Sequence, residues 1–309
     1  MTRIGLSAVL IIFSAVNIFA LGGMQKSTEP EIHAAPPQSI SQPTRAERIV
    51  KSLIQAYPDR IKKIEFKNND WALLMNDTWY YFAGGRLLPE NMLETADTYR
   101  PNQFYQYPAD LPQWTKPTPE QVERYNSWTE NRSQNPPRRS SFFLDELWQA
   151  PNRAETEKRL VKITFLGKST RVHQAIQKKL ASVESILIDL GKIDPQIQTW
   201  INGIGSLEGY GWRNIAETQS RSYHSYGLAV DLLPRNMGSR QTYWLWTSQH
   251  RDDWYNVSYN ERYHPPDSVI KIFEIHGFVW GGKWPMFDTM HFEYRPEVML
   301  LNGLTLVSN

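Results

Sequence analysis

Between Ser222 and Asp231 the chain reads Ser-Tyr-His-Ser-Tyr-Gly-Leu-Ala-Val-Asp, and its last residue sits in an apolar run that continues through Leu232 and Leu233. A carboxylate among such neighbours is costly to bury unless it meets a cation. This stretch must therefore fold so that Asp231 finds a partner. His224 stands seven residues earlier. A straight strand would separate the two by about 23 Å, and a helix by about 10 Å. A reversal near Tyr226-Gly227 brings them together, because glycine permits the backbone angles that a reversal needs. Leu228, Val230 and Leu232 then form the buried face of a strand, with Ala229 and Asp231 on the other.

The stretch from Gly277 to Tyr294 supplies the complement, ending in Asp288-Thr289-Met290-His291-Phe292-Glu293-Tyr294. The chain has no cysteine, so a zinc site must be built from histidine and carboxylate. His224, Asp231 and His291 offer three ligands and leave the fourth tetrahedral position to water, whose pKa Zn2+ brings towards neutrality. Asp288 reads as the general base that takes the water's proton and returns it to the leaving amine. It reads alternatively as a turn residue, or as the partner that orients His291. Glu293 lies two residues past His291, on the same face of a strand, and is the rival base or a structural group. Ser222 is expected to bond backbone near His224 rather than act as a nucleophile.

These two segments resemble those of the D-alanyl-D-alanine carboxypeptidase family of zinc peptidases, which includes L-alanyl-D-glutamate endopeptidases. The family's Ser-x-His-x6-Asp element corresponds to Ser222, His224 and Asp231. Its acid-x-x-His element corresponds to Asp288 and His291. Trp-Gly-Gly-Lys-Trp (280–284) and Met-His-Phe-Glu-Tyr-Arg-Pro (290–296) bring the likeness closer to the endopeptidase branch. The resemblance covers Leu160 to Pro296. It implies that Arg213, upstream of the first histidine, contacts the substrate carbonyl or the transition state. It also implies a peptidoglycan stem peptide or cross-link as substrate.

Elsewhere the chain divides by composition. Ile4 to Leu21 is an unbroken apolar stretch after Arg3, so residues 1–22 read as a signal peptide or an N-terminal membrane anchor. Either reading places the remainder outside the cytoplasm, in the periplasm, secreted or anchored. Residues 23–44 are rich in Pro, Ser and Ala and read as a flexible linker. Residues 45–150 form an N-terminal region without an assigned role. It should open with a helix from Arg45 to Tyr57 and continue with strands at Ile64–Phe66, Trp71–Leu74 and Trp79–Phe82. Loops and short helices are expected from 89 to 150.

Residues 151–309 should hold the zinc peptidase domain. A strand is predicted at Leu160–Leu166, then a long helix opened by Ser169 or Thr170 that carries Val172, Ile176, Leu180, Val183, Ile186 and Leu190. Asp194-Pro195 reads as the cap and first turn of a shorter helix. Trp280 and Trp284 either line a groove or pack around Gly281-Gly282, and Trp244, Trp246 and Trp254 read as core. His173, His250, His264 and His276 read as structural or surface residues, and His33 falls in the linker.

A net charge of +2, with no Lys/Arg run, gives no footprint for nucleic acid. The fold expected is α+β: a small antiparallel sheet with flanking helices, zinc in a cleft on the sheet face, and an N-terminal extension of mixed helix and strand. The activity expected is endopeptidase-like. D-alanyl-D-alanine carboxypeptidase action and a non-catalytic, zinc-containing wall-binding module are the alternatives.

Overall fold

The computed structural model describes residues 43–307 apart from 112 and 137. The expectations for residues 1–22, for the linker as far as Gln42 and for His33 lie outside the described residues. Thr44 accepts a hydrogen bond from Glu47 N at 3.2 Å and so caps α1 (Arg45–Ala56), which buries Ile49, Val50 and Leu53. An antiparallel meander follows, in the order β1 (Ile61–Lys67), β2 (Asp70–Met75), β3 (Thr78–Tyr81) and β4 (Leu88–Pro89). Asn68 and Asn69 turn β1 into β2 with φ of 52° and 59°. Two-residue hairpin turns need such left-handed angles at both central positions, and asparagine tolerates them.

Within 89–150 the helices are not all short. The helix α2 (Pro119–Gln134) runs for 16 residues. Thr118 accepts from Gln121 N at 3.3 Å while the Gln121 side chain accepts from Thr118 N at 2.8 Å, a reciprocal cap with Pro119 in the first turn. Few of its residues are apolar, so periodicity gives no sign of it. Two short helices follow, α3 (Phe142–Trp148) and α4 (Arg153–Glu157).

The predicted start of the long helix is wrong by several residues. Leu166 and Gly167 take φ of 48° and 74° and close a tight hairpin between β5 (Leu160–Phe165) and β6 (Lys168–His173). Ser169 and Thr170 pair with Thr164 and Ile163 as strand residues instead of capping a helix. Helix α5 (Gln174–Gly191) opens at His173, whose Nδ1 accepts from Ala175 N at 3.2 Å. It buries Ile176, Leu180, Val183 and Leu187, each side chain contributing roughly 1.5–3 kcal/mol on leaving water. Asp194 caps α6 (Pro195–Gly203) as its sequence predicts, accepting from Gln196 N at 2.8 Å.

The sheet that matters for function has the order β7 (Ile204–Glu208), β8 (Ala229–Pro234), β10 (His291–Tyr294), β9 (Phe278–Trp280), with every pairing antiparallel. Helices α7 (Trp244–Ser248), α8 (Asp267–Ile275) and α9 (Pro296–Leu301) complete the chain. The architecture is α+β with small antiparallel sheets, as the sequence leads one to expect. One face of the β7–β10 sheet buries Leu228, Val230, Leu232 and Phe292 in a core shared with α1 and α5. There Phe273 of α8 stacks on Phe292 with ring centroids 4.0 Å apart. The chain from Pro43 onward makes one compact unit.

His173 is buried and neutral at the start of α5. Its Nε2 donates to Trp148 O at 3.1 Å while Nδ1 accepts the cap bond. Burial drives its pKa down to about 4. The folded protein therefore resists a proton that the unfolded chain accepts below about 6.5. The associated stability is complete above pH 6.5 and is lost as pH falls towards 4, by at most about 3 kcal/mol. Thermal unfolding of His173→Asn against wild type across this range should lack that decline.

Candidate functional site

Three short pieces of backbone geometry bring the predicted residues together. Tyr223–Tyr226 forms a single 3-10 turn that ends at Gly227 with φ 73°. This is the reversal that folds His224 back towards the strand. Next, β8 and β10 pair in a register that sets His291 directly opposite Asp231. Finally, Arg213-Asn214 and Arg221-Ser222 form a narrow hairpin, with Asn214 bridged to Arg221 and Ser222 N donating to Arg213 O at 3.2 Å. The hairpin carries Arg213 to the same place.

The ligand atoms of His224, Asp231 and His291 lie within 4.8 Å of one another, and all three residues are buried. His224 Nε2 lies 3.1 Å from Asp231 Oδ1 and 3.2 Å from His291 Nδ1, and His291 Nδ1 lies 2.8 Å from Asp231 Oδ1. The remaining nitrogens are already committed. His224 Nδ1 donates to Gly209 O at 2.6 Å, and His291 Nε2 donates to Glu293 Oε2 at 3.1 Å. Each outer bond fixes a tautomer and leaves the inner nitrogen as an electron pair pointing at its neighbours. Two imidazole lone pairs and a carboxylate oxygen thus converge on one point without a donor among them. A tetrahedral zinc ion with bonds of about 2.0–2.1 Å holds its donors roughly 3.3 Å apart, close to the spacings here. The donor set fits such a cation.

The electrostatics agree. Burial works to raise the Asp231 pKa, but when a second proton occupies the imidazoles in place of a metal, His224 and His291 outweigh it and hold the carboxyl far below its usual range. Burial likewise opposes charge on His291, while Asp231 and Glu293 draw its pKa well above the ordinary imidazole value. This pocket attracts positive charge, whether a proton or a metal.

The cluster lines a cleft of about 570 Å³ together with Arg213, Asp288 and Glu293. Arg213 Nη2 stands 3.9 Å from Asp231 Oδ2, and about half of its side chain is open to solvent. Asp288 is held by backbone pairing with Tyr243. Its Oδ1 is enclosed and has no hydrogen-bond partner in the protein. Burial pushes its carboxyl up to about 7, with Asp231 adding to the effect and His291 opposing it. Glu293 sits on the face of β10 that carries His291 and accepts from Arg295 Nη1 at 3.3 Å. Ser222 accepts from His224 N at 3.3 Å, the backbone duty expected of it.

The two tryptophans divide the roles left open for them. Trp280 is buried and donates from Nε1 to Thr289 O at 2.9 Å, with Gly282 pressed against its ring. Trp284 lines the cleft, its ring centroid 5.6 Å from that of His291. Trp244 and Trp254 are core, whereas Trp246 is 44% exposed because it lies on the outward side of the short helix α7. His173 and His276 are buried structural residues. Sequence reasoning missed part of the lining: Gln103, Tyr105, Arg132 and Arg139 reach the cleft from a region without motifs.

Residues 216–294 match the family model described as D-alanyl-D-alanine carboxypeptidase, a family of peptidases, and residues 49–104 match a domain of unknown function. No curated protein and no solved structure matches the chain. The first match spans Ser222, His224, Asp231, Asp288 and His291, the residues of the two motifs on which the resemblance rests. It begins after Arg213 and is shorter than the Leu160–Pro296 span read from the motifs.

Gly227 holds the reversal. A Cβ there would lie 2.7 Å from both His173 N and Leu160 Cδ2, in addition to the left-handed backbone angle. Gly227→Ala should lower stability by about 2–4 kcal/mol, read from the midpoint of urea unfolding.

Proposed function

We propose that this protein is an extracytoplasmic, zinc-dependent peptidase that hydrolyses an amide bond within the stem peptide or cross-link of bacterial peptidoglycan. The observation that carries the reading is the convergence of His224 Nε2, His291 Nδ1 and Asp231 Oδ1, each histidine turned inward by a bond to its outer nitrogen. The family match over residues 216–294 supports peptidase chemistry. The D-alanyl-D-alanine of that family's description is a wall-peptide unit, which favours the wall as substrate. The apolar stretch Ile4–Leu21 favours export, as a cleaved signal or an anchor.

In this reading His224, Asp231 and His291 hold the zinc, with Gly209 O and Glu293 keeping the imidazoles in register. Zinc, when bound, supplies a Lewis acid that polarises the scissile carbonyl and makes water more acidic. Asp288 moves the protons. Its Oδ1 is enclosed with no hydrogen-bond partner in the protein, so it is free to take the water's proton and return it to the leaving amine. Arg213, half exposed beside the cluster, steadies the negative charge that develops on the carbonyl oxygen. Trp284 covers one side of the cleft and limits the water that reaches the reacting bond.

Metal analysis of the purified protein should give one equivalent of zinc. Digestion of isolated wall followed by mass spectrometry should give products cut inside the stem. Release of terminal D-alanine alone would indicate a carboxypeptidase, and bound zinc without turnover would indicate a wall-binding module. Asp288→Asn should keep its zinc and lose about 10²–10⁴-fold in kcat. Glu293→Gln should weaken zinc binding by about 10–100-fold, measured by chelator competition.

A further inference from the structure

Besides Arg213, two arginines line the cleft from outside the matched segment: Arg132, whose nearest carboxylate is Glu217 at 3.8 Å, and Arg139. Arg132 projects from α2 and is 8% exposed. Its Nη2 donates to Ala216 O, and its guanidinium lies 4.4 Å from the Trp128 ring centroid. Its Nε is enclosed without a hydrogen-bond partner, and Glu217 stands 3.8 Å away, too far to serve as one. Arg139 is anchored on both sides of its own chain. Its backbone N donates to Ser220 Oγ at 2.9 Å, and its Nε donates to Pro101 O at 3.1 Å.

No described carboxylate pairs with Arg139. Burial lowers its pKa from the usual arginine value, and the guanidiniums of Arg132, Arg295 and Arg100 add to the effect while Tyr223 opposes it. Arg295 is already matched by Glu293 and Glu297. Arg139 lines the cleft, and no described carboxylate receives its fork beyond Nε. Enclosing cations without counter-charge is costly, and a guanidinium fork is shaped to grip a carboxylate by two parallel bonds.

We propose that Arg139, backed by Arg132, forms a carboxylate-binding subsite of this cleft, so that the preferred peptide carries a free carboxylate close to its scissile amide. The word scissile rests on the peptidase reading above; the subsite itself does not. Two carboxylates in a stem peptide have this chemistry, the one at the chain end and one carried internally. Gripping the first directs the cut to the terminal residue, and gripping the second directs it inside the stem.

The test uses the full zinc-loaded chain carrying Asp288→Asn to slow turnover. Calorimetry measures binding of a synthetic stem peptide with all carboxylates free, and of versions in which the terminal or an internal carboxylate is converted to the primary amide. One of the two amidations should weaken binding at least tenfold, and its identity names the carboxylate. Adding Arg139→Gln should bring the ratio of affinities close to one. Arg139→Lys, which keeps the charge but loses the fork, should restore part of it and decides the matter if the glutamine variant unfolds. Equal binding of all three peptides, or a tenfold preference that survives both Arg139 variants, overturns the subsite. Wall digestion by the wild type is scored separately. Discrimination without digestion would overturn the peptidase reading alone, and digestion without discrimination would overturn the subsite alone.

Discussion

Everything at this site depends on the pairing of β8 with β10 in the register that sets His291 against Asp231. Side chains in a strand alternate between faces, so a slip of one residue would turn His291 and Glu293 into the apolar core and bring Phe292 into the cleft. The register is held from behind by the core itself. Val230, Leu232 and Phe292 are buried on the opposite face, and Phe273 stacks on Phe292. Hydrophobic packing on one side of the sheet thus fixes the polar geometry on the other. The desolvation that makes Asp231 expensive is also what makes three converging electron pairs a strong attractor for a cation.

The cleft is a composite. One part of its wall comes from the segment that matches the peptidase family, and another comes from residues between 102 and 139. The second part is attached by specific bonds rather than by general contact. Trp284 Nε1 donates to Tyr105 OH at 3.0 Å, Arg295 Nη2 donates to Gln103 O at 2.8 Å, and Arg132 and Arg139 both fasten to the Ala216–Ser220 loop. On the proposed function, the chemistry and the selection of what undergoes it come from different stretches of chain.

The first part was legible in the sequence, and the second was not. An aspartate in an apolar run, a glycine between it and a histidine, and an Asp-x-x-His near the end are local signals with few physical solutions, and the structure brings them together. The meander at 61–81 was equally readable, because Asn68, Asn69 and Asn76 mark turns between apolar alternations. Helix α2 escaped because its surface is polar on most sides, although Thr118-Pro119 with Gln121 is a sound start signal. The error at Ser169 has the opposite cause. A hydroxyl residue after a glycine suits a helix cap, but the Leu166-Gly167 hairpin takes precedence and commits the next residues to a strand. Arg132 and Arg139 carry no pattern at all, since their meaning lies in contacts distant along the chain.

The buried bond between Lys283 and Glu274 has a bearing on how such a protein can be dismantled. Tyr107 OH donates to the same Glu274 oxygen at 2.6 Å, and Lys283 Nζ donates to Pro108 O at 2.9 Å and Ala109 O at 3.1 Å. A graft of residues 216–294 into a foreign scaffold would import the lysine and the glutamate but leave those carbonyls and that phenol behind. The transplanted ammonium would keep its charge and lose most of its acceptors. The seam along which this molecule can be exchanged with another therefore does not follow the edges of its recognisable motif.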